Sequence, residues 1–193
     1  MATLADAVLG APPQPPTPPA AKSQQQPQPR QLRLSRVHAA ANVYVSEGRS
    51  AATLSELERA ARQACTGGVE LATVFVDRPY HRSSYTLVST SAPALSAAAA
   101  SLACRALELL DLRQHSAAHP RLGTVDHISC HPLTRPAEHM PLAVQLAHSI
   151  GRELAAGQQP VPVYFYGSAH PQGQGLAGIR RQLGYFSGSA AGA

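Results

Sequence analysis

The sequence predicts an α+β fold of the ferredoxin-like class, a βαββαβ sandwich extended by one helix and one strand, with helices on one face of an antiparallel or mixed sheet. Two observations lead there. Apolar stretches of strand period and stripes of helical spacing follow one another in the order β-α-β-β-α-β-α-β. The connector between the second and third strands is short enough for an antiparallel hairpin, which fixes the split βαβ arrangement.

Each element has its own signal. Val37 to Val45 ends in the alternation of Val43 and Val45 against Asn42 and Tyr44, a first strand closed by Ser46, Glu47 and Gly48. Thr53 and Glu56 have the spacing of a capping box, so a first helix is expected from there to about Cys65. Leu54, Leu57, Ala61 and Ala64 make its apolar stripe, and Gly67 and Gly68 stop it. Val69 to Val76 is β-branched and apolar, a second strand; Asp77 to Arg82 is a polar connector; Ser83 to Ser91 is a third strand with Tyr85 and Leu87 on one side. Pro93 falls in the first turn of a second helix that carries Leu95, Leu102, Ala106 and Leu109 to about Leu112. Val125 to Pro132 is the next strand. Pro141 to Ala155 places Leu142, Leu146, Ile150 and Leu154 on one helical stripe, and Val161 to Tyr166 is the expected last strand.

Length and composition bound the rest. The 193 residues, 44% hydrophobic, fit one globular domain, expected over residues 36–187, plus an unfolded segment. Ala11 to Arg30 is dominated by Pro and Gln and lacks any acid, so residues 1–35 are expected to stay disordered with polyproline II character, as are residues 188–193. Lys22, Arg30, Arg33 and Arg36 against Asp6 place +3 of the net +5 in residues 1–36, leaving +2 for the rest. One lysine in the whole chain argues against nucleic-acid binding. No apolar run approaches the roughly 18 residues of a membrane span. Cys65, Cys104 and Cys130 are odd in number and never form a CxxC pair; they suit buried apolar positions in a reducing compartment. The cytoplasm is the expected location, with an acid-poor, Arg-bearing leader leaving organelle targeting open.

Chemistry is densest from His119 to Asp126. Pro120 disfavours helical backbone at His119, which should therefore sit extended at a helix-to-strand junction, where scaffolds commonly display reactive groups. Imidazole can take and return a proton near neutral pH, so His119 is the candidate proton carrier. Asp77 and Asp126 are candidate orienting or structural carboxylates, and Asp126 could equally cap the preceding turn. Arg82, Arg121, Arg180 and Arg181 are candidate anion holders, which implies a ligand with carboxylates. Gly173 to Gly178 spells GxGxxG, but no second strand and no acid follow to hold a ribose; the run is better suited to a mobile lead into Arg180 and Arg181. No metal is expected. His115 and His119 would need one helix, which Pro120 opposes, and His127 and His131 on one strand face stand roughly 13 Å apart.

These residues resemble the N-terminal subdomain of formiminotransferase, a folate enzyme often fused to a cyclodeaminase. Asn42 to Gly48 resembles the asparagine and SEG signature of that family. His81, Arg82, Ser83, Tyr85 and Thr86 resemble its NRT/VYT segment. His115, then His119, Pro120, Arg121, Leu122, Gly123 and Asp126, resemble its HPRMGxxD segment. Val161 to Gly167 resembles VPVYLYG, and Arg180, Arg181, Gly184 and Tyr185 resemble the closing RRGEYE. Five matches come in family order over about residues 37 to 186.

The resemblance implies transfer of a formimino group from N-formimino-glutamate to N5 of tetrahydrofolate, a one-carbon step of histidine catabolism, with His119 as general base and tetrahydrofolate as substrate. Through it Asn42, Asp77, Arg82, Arg121, Gly123, Asp126, Tyr166, Arg180 and Arg181 become candidate folate- or substrate-binding residues. The partners implied are a folate and a glutamate derivative, with no nucleic acid and no membrane. The sequence also departs from the family. Ala117 and Ala118 replace a Gly-Glu pair, His81 replaces an asparagine, and the connector from Asp77 to Tyr85 is two residues shorter. The chain is expected to stop where the family's N-terminal subdomain stops, so pairing with itself or another chain would be needed to complete a cleft. Two alternatives to a transferase are a folate- or anion-binding module without turnover and an interaction protein acting through the Pro/Gln segment.

Overall fold

The computed structural model describes residues 38–117, 121–157 and 160–185. The Pro/Gln segment, residues 188–193 and His119 lie outside the described residues. Four strands, Ala39–Val45 (β1), Val69–Asp77 (β2), Arg82–Ser89 (β3) and Val125–Pro132 (β4), form one sheet in the order β2-β3-β1-β4. Every pairing is antiparallel. The helices Ala51–Ala64 (α1), Ala92–Leu109 (α2) and Pro136–Ala156 (α3) pack on one face of it, giving the expected ferredoxin-like sandwich.

Strand alternation decides which side is core. Val43 lies opposite Tyr85 and Ala41 opposite Leu87, and all four are fully buried against Leu57, Leu95, Leu102 and Leu146. Each such leucine contributes about 1.5–3 kcal/mol by leaving water. On α2, Ala98, Ala99, Ala103 and Ala106 are buried, so small side chains let this helix lie close over the sheet. The intervening positions Asn42, Tyr44, Arg82, Ser84, Thr86, His127 and Ser129 therefore face away from α1 to α3. Their register brings Tyr44 opposite both Ser84 and His127. One irregularity matters here. Tyr44 pairs with His127 but Val45 pairs with Val125, so Asp126 is an extra residue bulged out of β4.

The elements differ from the sequence expectation in four places. The N-cap of α1 is Ser50, whose side chain accepts from the Thr53 amide at 3.2 Å; Ala51 and Ala52 extend the helix, and Glu56 turns instead to Arg59 and Arg105. The third helix, α3, begins at Pro136, so Pro141 sits inside it without an amide proton for the preceding turn. Arg135 enters that helix in the left-handed region at φ 42°, with His139 Nδ1 2.7 Å from the Thr134 carbonyl oxygen.

The expected last strand is extended but joins no ladder. Val161, Val163 and Phe165 are partly buried while Pro160, Pro162 and Tyr164 are exposed, so the period of two survives. Pro160 and Pro162 remove two amide donors from the same edge, which is enough to prevent regular pairing. Beyond it, the glycine-rich run expected to be mobile leads into a short helix, Leu176–Gln182 (α4), anchored by buried Ile179.

Candidate functional site

Tyr44 is the hub of the sheet face turned away from α1 to α3. Its ring stacks on His127 with centroids 4.1 Å apart and planes 14° apart, a contact made by cross-strand neighbours. The Arg82 guanidinium lies 5.5 Å from the Tyr44 ring centroid and 6.0 Å from that of Tyr80. Asn42 Nδ2 donates to the Tyr44 hydroxyl at 2.9 Å, and the Thr86 hydroxyl donates to Asn42 Oδ1 at 3.3 Å. Two candidate residues, Asn42 and Arg82, thus fix the orientation and electrostatic setting of one aromatic ring.

Asp126 and Arg180 meet across 54 positions of sequence, their ion pair joining β4 to α4. The Asp126 side chain is only 3% exposed. His127 Nδ1 stands 3.2 Å from Asp126 Oδ2 and 3.3 Å from the Arg180 guanidinium. Burial resists ionisation of Asp126, but the His127 contact and the charges of Arg180, His127 and Arg121 outweigh it, holding the carboxyl below its usual value. Asp126 Oδ1 and Arg180 Nε are buried without a hydrogen-bond partner among the described residues. Arg180 also covers the Tyr185 ring at 4.9 Å. Tyr166 comes from the extended segment before α4; its ring meets His127 edge-on at 6.3 Å, and its hydroxyl donates to the Ile128 carbonyl. Burial pushes that hydroxyl up to about 12.

A second cluster forms where the loop after β1 meets the β2–β3 turn. Glu47 Oε1 accepts from the amides of Gly48, Arg49 and Ser50 at 2.7–2.9 Å, filling an anion-binding nest with the chain's own carboxylate. The Gly48 amide also reaches His81 Nδ1 at 3.0 Å. His81 is held in the left-handed region at φ 51°, with its ring centroid 4.4 Å from that of His115. Burial holds both imidazoles below their usual value, and for His115 the neighbouring His81 adds to it. The Ser46 hydroxyl donates to the Gly123 carbonyl at 2.8 Å, and the Ser46 amide to that of Thr124, tying this loop to the start of β4.

The sequence-predicted residues therefore divide. Asn42, Arg82, Asp126, Tyr166 and Arg180 are brought together around Tyr44 and His127. The Arg121 guanidinium donates to the Tyr80 carbonyl on the β2–β3 turn, and Gly123 serves through its own carbonyl. Asp77 accepts from the Tyr80 amide at 3.0 Å, a turn-capping role at the edge of the sheet. Arg181 is exposed on α4. Sequence reasoning weighed His127 only as a metal ligand and passed over Tyr44 and Glu47; strand pairing is the signal that would have joined Tyr44 to His127. Among the described residues, no three His, Cys, Asp or Glu side chains converge to hold a metal, and no helix is long and apolar enough to cross a membrane.

Comparison with known proteins agrees with this architecture. The family described as the formiminotransferase domain, N-terminal subdomain, matches residues 38–192. A formiminotransferase cyclodeaminase-like protein of Arabidopsis thaliana is 36% identical over 156 residues, covering 78% of this chain and 50% of that protein. A glutamate formimidoyltransferase of Thermoplasma acidophilum is 33% identical over 141 residues, covering 71% and 44%. The formimidoyltransferase-cyclodeaminase of Gallus gallus is 35% identical over 127 residues, covering 66% and 22%. The chain thus spans half or less of the length of these relatives. By that match, over nearly all of its folded part, the chain belongs to the formiminotransferase domain family and corresponds to its N-terminal subdomain.

Proposed function

We propose that the chain is a folate-dependent formimino transferase subunit, moving the formimino group of N-formimino-glutamate to N5 of tetrahydrofolate. The observation that carries this reading is the sheet face turned away from α1 to α3, where Arg82, Arg180, Tyr44, His127 and Tyr166 cluster in a member of a formimidoyl-transfer family. Flat aromatic rings suit a pterin, and guanidinium groups suit the carboxylates of glutamate and of a folate tail. His119 takes the N5 proton as that amine attacks the formimino carbon. The bond from this carbon to the glutamate nitrogen then breaks, and glutamate leaves with a proton. Arg82, Arg121 and Arg181 bind carboxylates, with Asn42, Asp77 and Gly123 shaping the surface. Pairing with a second copy supplies the opposite wall of the cleft, in the cytoplasm.

Single-turnover transfer from formimino-glutamate to tetrahydrofolate tests the reading. Wild-type transfer that falls by about 10²–10⁴-fold in His119→Ala is expected; wild-type activity equal to that of the variant rejects it. A second reading is a folate-binding module without turnover, favoured by Ala117 and Ala118 in place of the family's Gly-Glu pair. It predicts calorimetric binding of tetrahydrofolate that survives His119→Ala and weakens in Arg121→Ala.

A further inference from the structure

We propose that His127 is a second proton carrier of this site, the acid that protonates the departing amine through Nε2, with Asp126 as the positioning residue that sets its tautomer. This rests on the transferase reading above and adds to it a group from β4.

The ring is held from four directions. Tyr44 of β1 lies flat against it, Tyr166 meets it edge-on, and Asp126 of β4 and Arg180 of α4 both stand at Nδ1. Arg82 lies against Tyr44 as the next charge outward. The opposite nitrogen is different. Nε2 has no hydrogen bond among the described residues, and the side chain keeps 13% exposure.

Proton accounting favours one tautomer. Arg180 can only donate, and it already has Asp126 Oδ2 as its acceptor. A proton on Nδ1 has one acceptor in reach, that same oxygen at 3.2 Å. With Nδ1–H, both the imidazole and Arg180 donate to the buried Asp126 carboxylate, whereas an Nδ1 lone pair would accept from the second Nη2 proton of Arg180 and leave that carboxylate one partner fewer. Neutral His127 then presents the Nε2 lone pair, and the imidazolium presents an Nε2 proton, on the sheet face turned away from α1 to α3. A carboxylate behind an imidazole with the far nitrogen free is the arrangement that proton-transfer chemistry uses repeatedly.

The step balances. When the bond between the formimino carbon and the glutamate nitrogen breaks, its electron pair stays on nitrogen. That nitrogen accepts the Nε2 proton and leaves as a neutral amine. The proton released by the attacking N5 goes to the separate base, and solvent reprotonates His127.

Two measurements decide it. Single-turnover transfer to tetrahydrofolate is followed from formimino-glutamate and from a formamidine with a nitroaniline leaving group, which needs no acid to depart. His127→Gln is expected to slow the first by about 10²–10⁴-fold and the second by less than about 10-fold. Equal slowing with both donors overturns the acid role alone. Wild-type protein that transfers from neither donor refutes the transferase reading, and the acid role falls with it. Imidazole ¹⁵N spectra of the wild type, which need no turnover and no folded variant, are expected to show neutral His127 protonated on Nδ1. A neutral ring protonated on Nε2 overturns the assignment.

Discussion

Replacing Gly48 by alanine tests how closely the loop after β1 is clamped to the β2–β3 turn. A Cβ there would stand 2.5 Å from the Arg82 amide nitrogen, 2.7 Å from the Asp77 carbonyl oxygen and 2.9 Å from the His81 carbonyl carbon. All three are backbone atoms, so no rotamer change relieves the overlap. Loop and turn must separate by up to about 1 Å to restore an ordinary contact of roughly 3.5 Å. That movement also breaks the 3.0 Å bond from the Gly48 amide to His81 Nδ1. Overpacking costs about 1–3 kcal/mol and a lost hydrogen bond about 0.5–1.5 kcal/mol, so Gly48→Ala should destabilise by about 2–4 kcal/mol. In urea melts the midpoint should fall with an unchanged slope. Gly123→Ala is a control, because its Cβ would meet the Val125 carbonyl oxygen at the less severe 3.1 Å. A loss under about 0.5 kcal/mol for Gly48→Ala would show that the two segments are not held together and would refute the clamp.

Arg180→Ala leaves Asp126 buried with its cation gone, which should cost about 3–5 kcal/mol in urea melts, while Asp126→Leu combined with Arg180→Met should recover most of that loss. The Asp126 carboxyl lies below its ordinary 3.8, so its stabilisation is complete above that value and is lost as pH falls through the lower, folded one; Asp126→Asn should flatten this acid limb. Burial depresses His81 and His115, so both bind protons less readily in the fold than once unfolded. Stability from this pair is present above the ordinary 6.5 and lost as pH falls below it, and His81→Asn with His115→Gln should reduce the difference between urea melts at pH 7.5 and 5. Burial pushes the Cys130 thiol up to about 12, so it should resist thiol reagents at pH 8 and label only on unfolding, as mass spectrometry of quenched time points would show.

Periodicity made the sandwich legible because its strands bury one face each. Alternation at Val43 and Val45, and at Tyr85 and Leu87, is a direct imprint of a sheet with helices on one side only. Helix beginnings were harder to place, since Ser50 and Thr53 can both cap and the choice depended on Ala51 and Ala52 joining the helix. Val161 to Tyr166 kept the period of a strand without the pairing, because periodicity reports burial and says nothing of the missing amide protons of Pro160 and Pro162.

The candidate site was legible in part. Arg180 and Asp126 were recognised as charged residues worth attention, yet their pairing is a long-range contact that no local spacing encodes. His127 was invisible as an oriented imidazole for the same reason: its partners come from β1, from the segment before α4 and from α4 itself. By contrast the SEG loop and the His81 to Thr86 segment, matched separately by motif, are neighbours in space through Gly48 and His81.

The extra residue in β4 sets the side on which the Asp126 carboxylate emerges. In an unbroken strand, adjacent side chains leave in opposite directions, so a carboxylate just before His127 would plunge into the oily layer beneath α2 and α3. A one-position slip between Tyr44 and Val45 turns Asp126 back to the side of its neighbour, and consecutive residues become a touching pair. Shortening this stretch by a single codon would restore ideal pairing and, in doing so, dismantle the acid–imidazole couple.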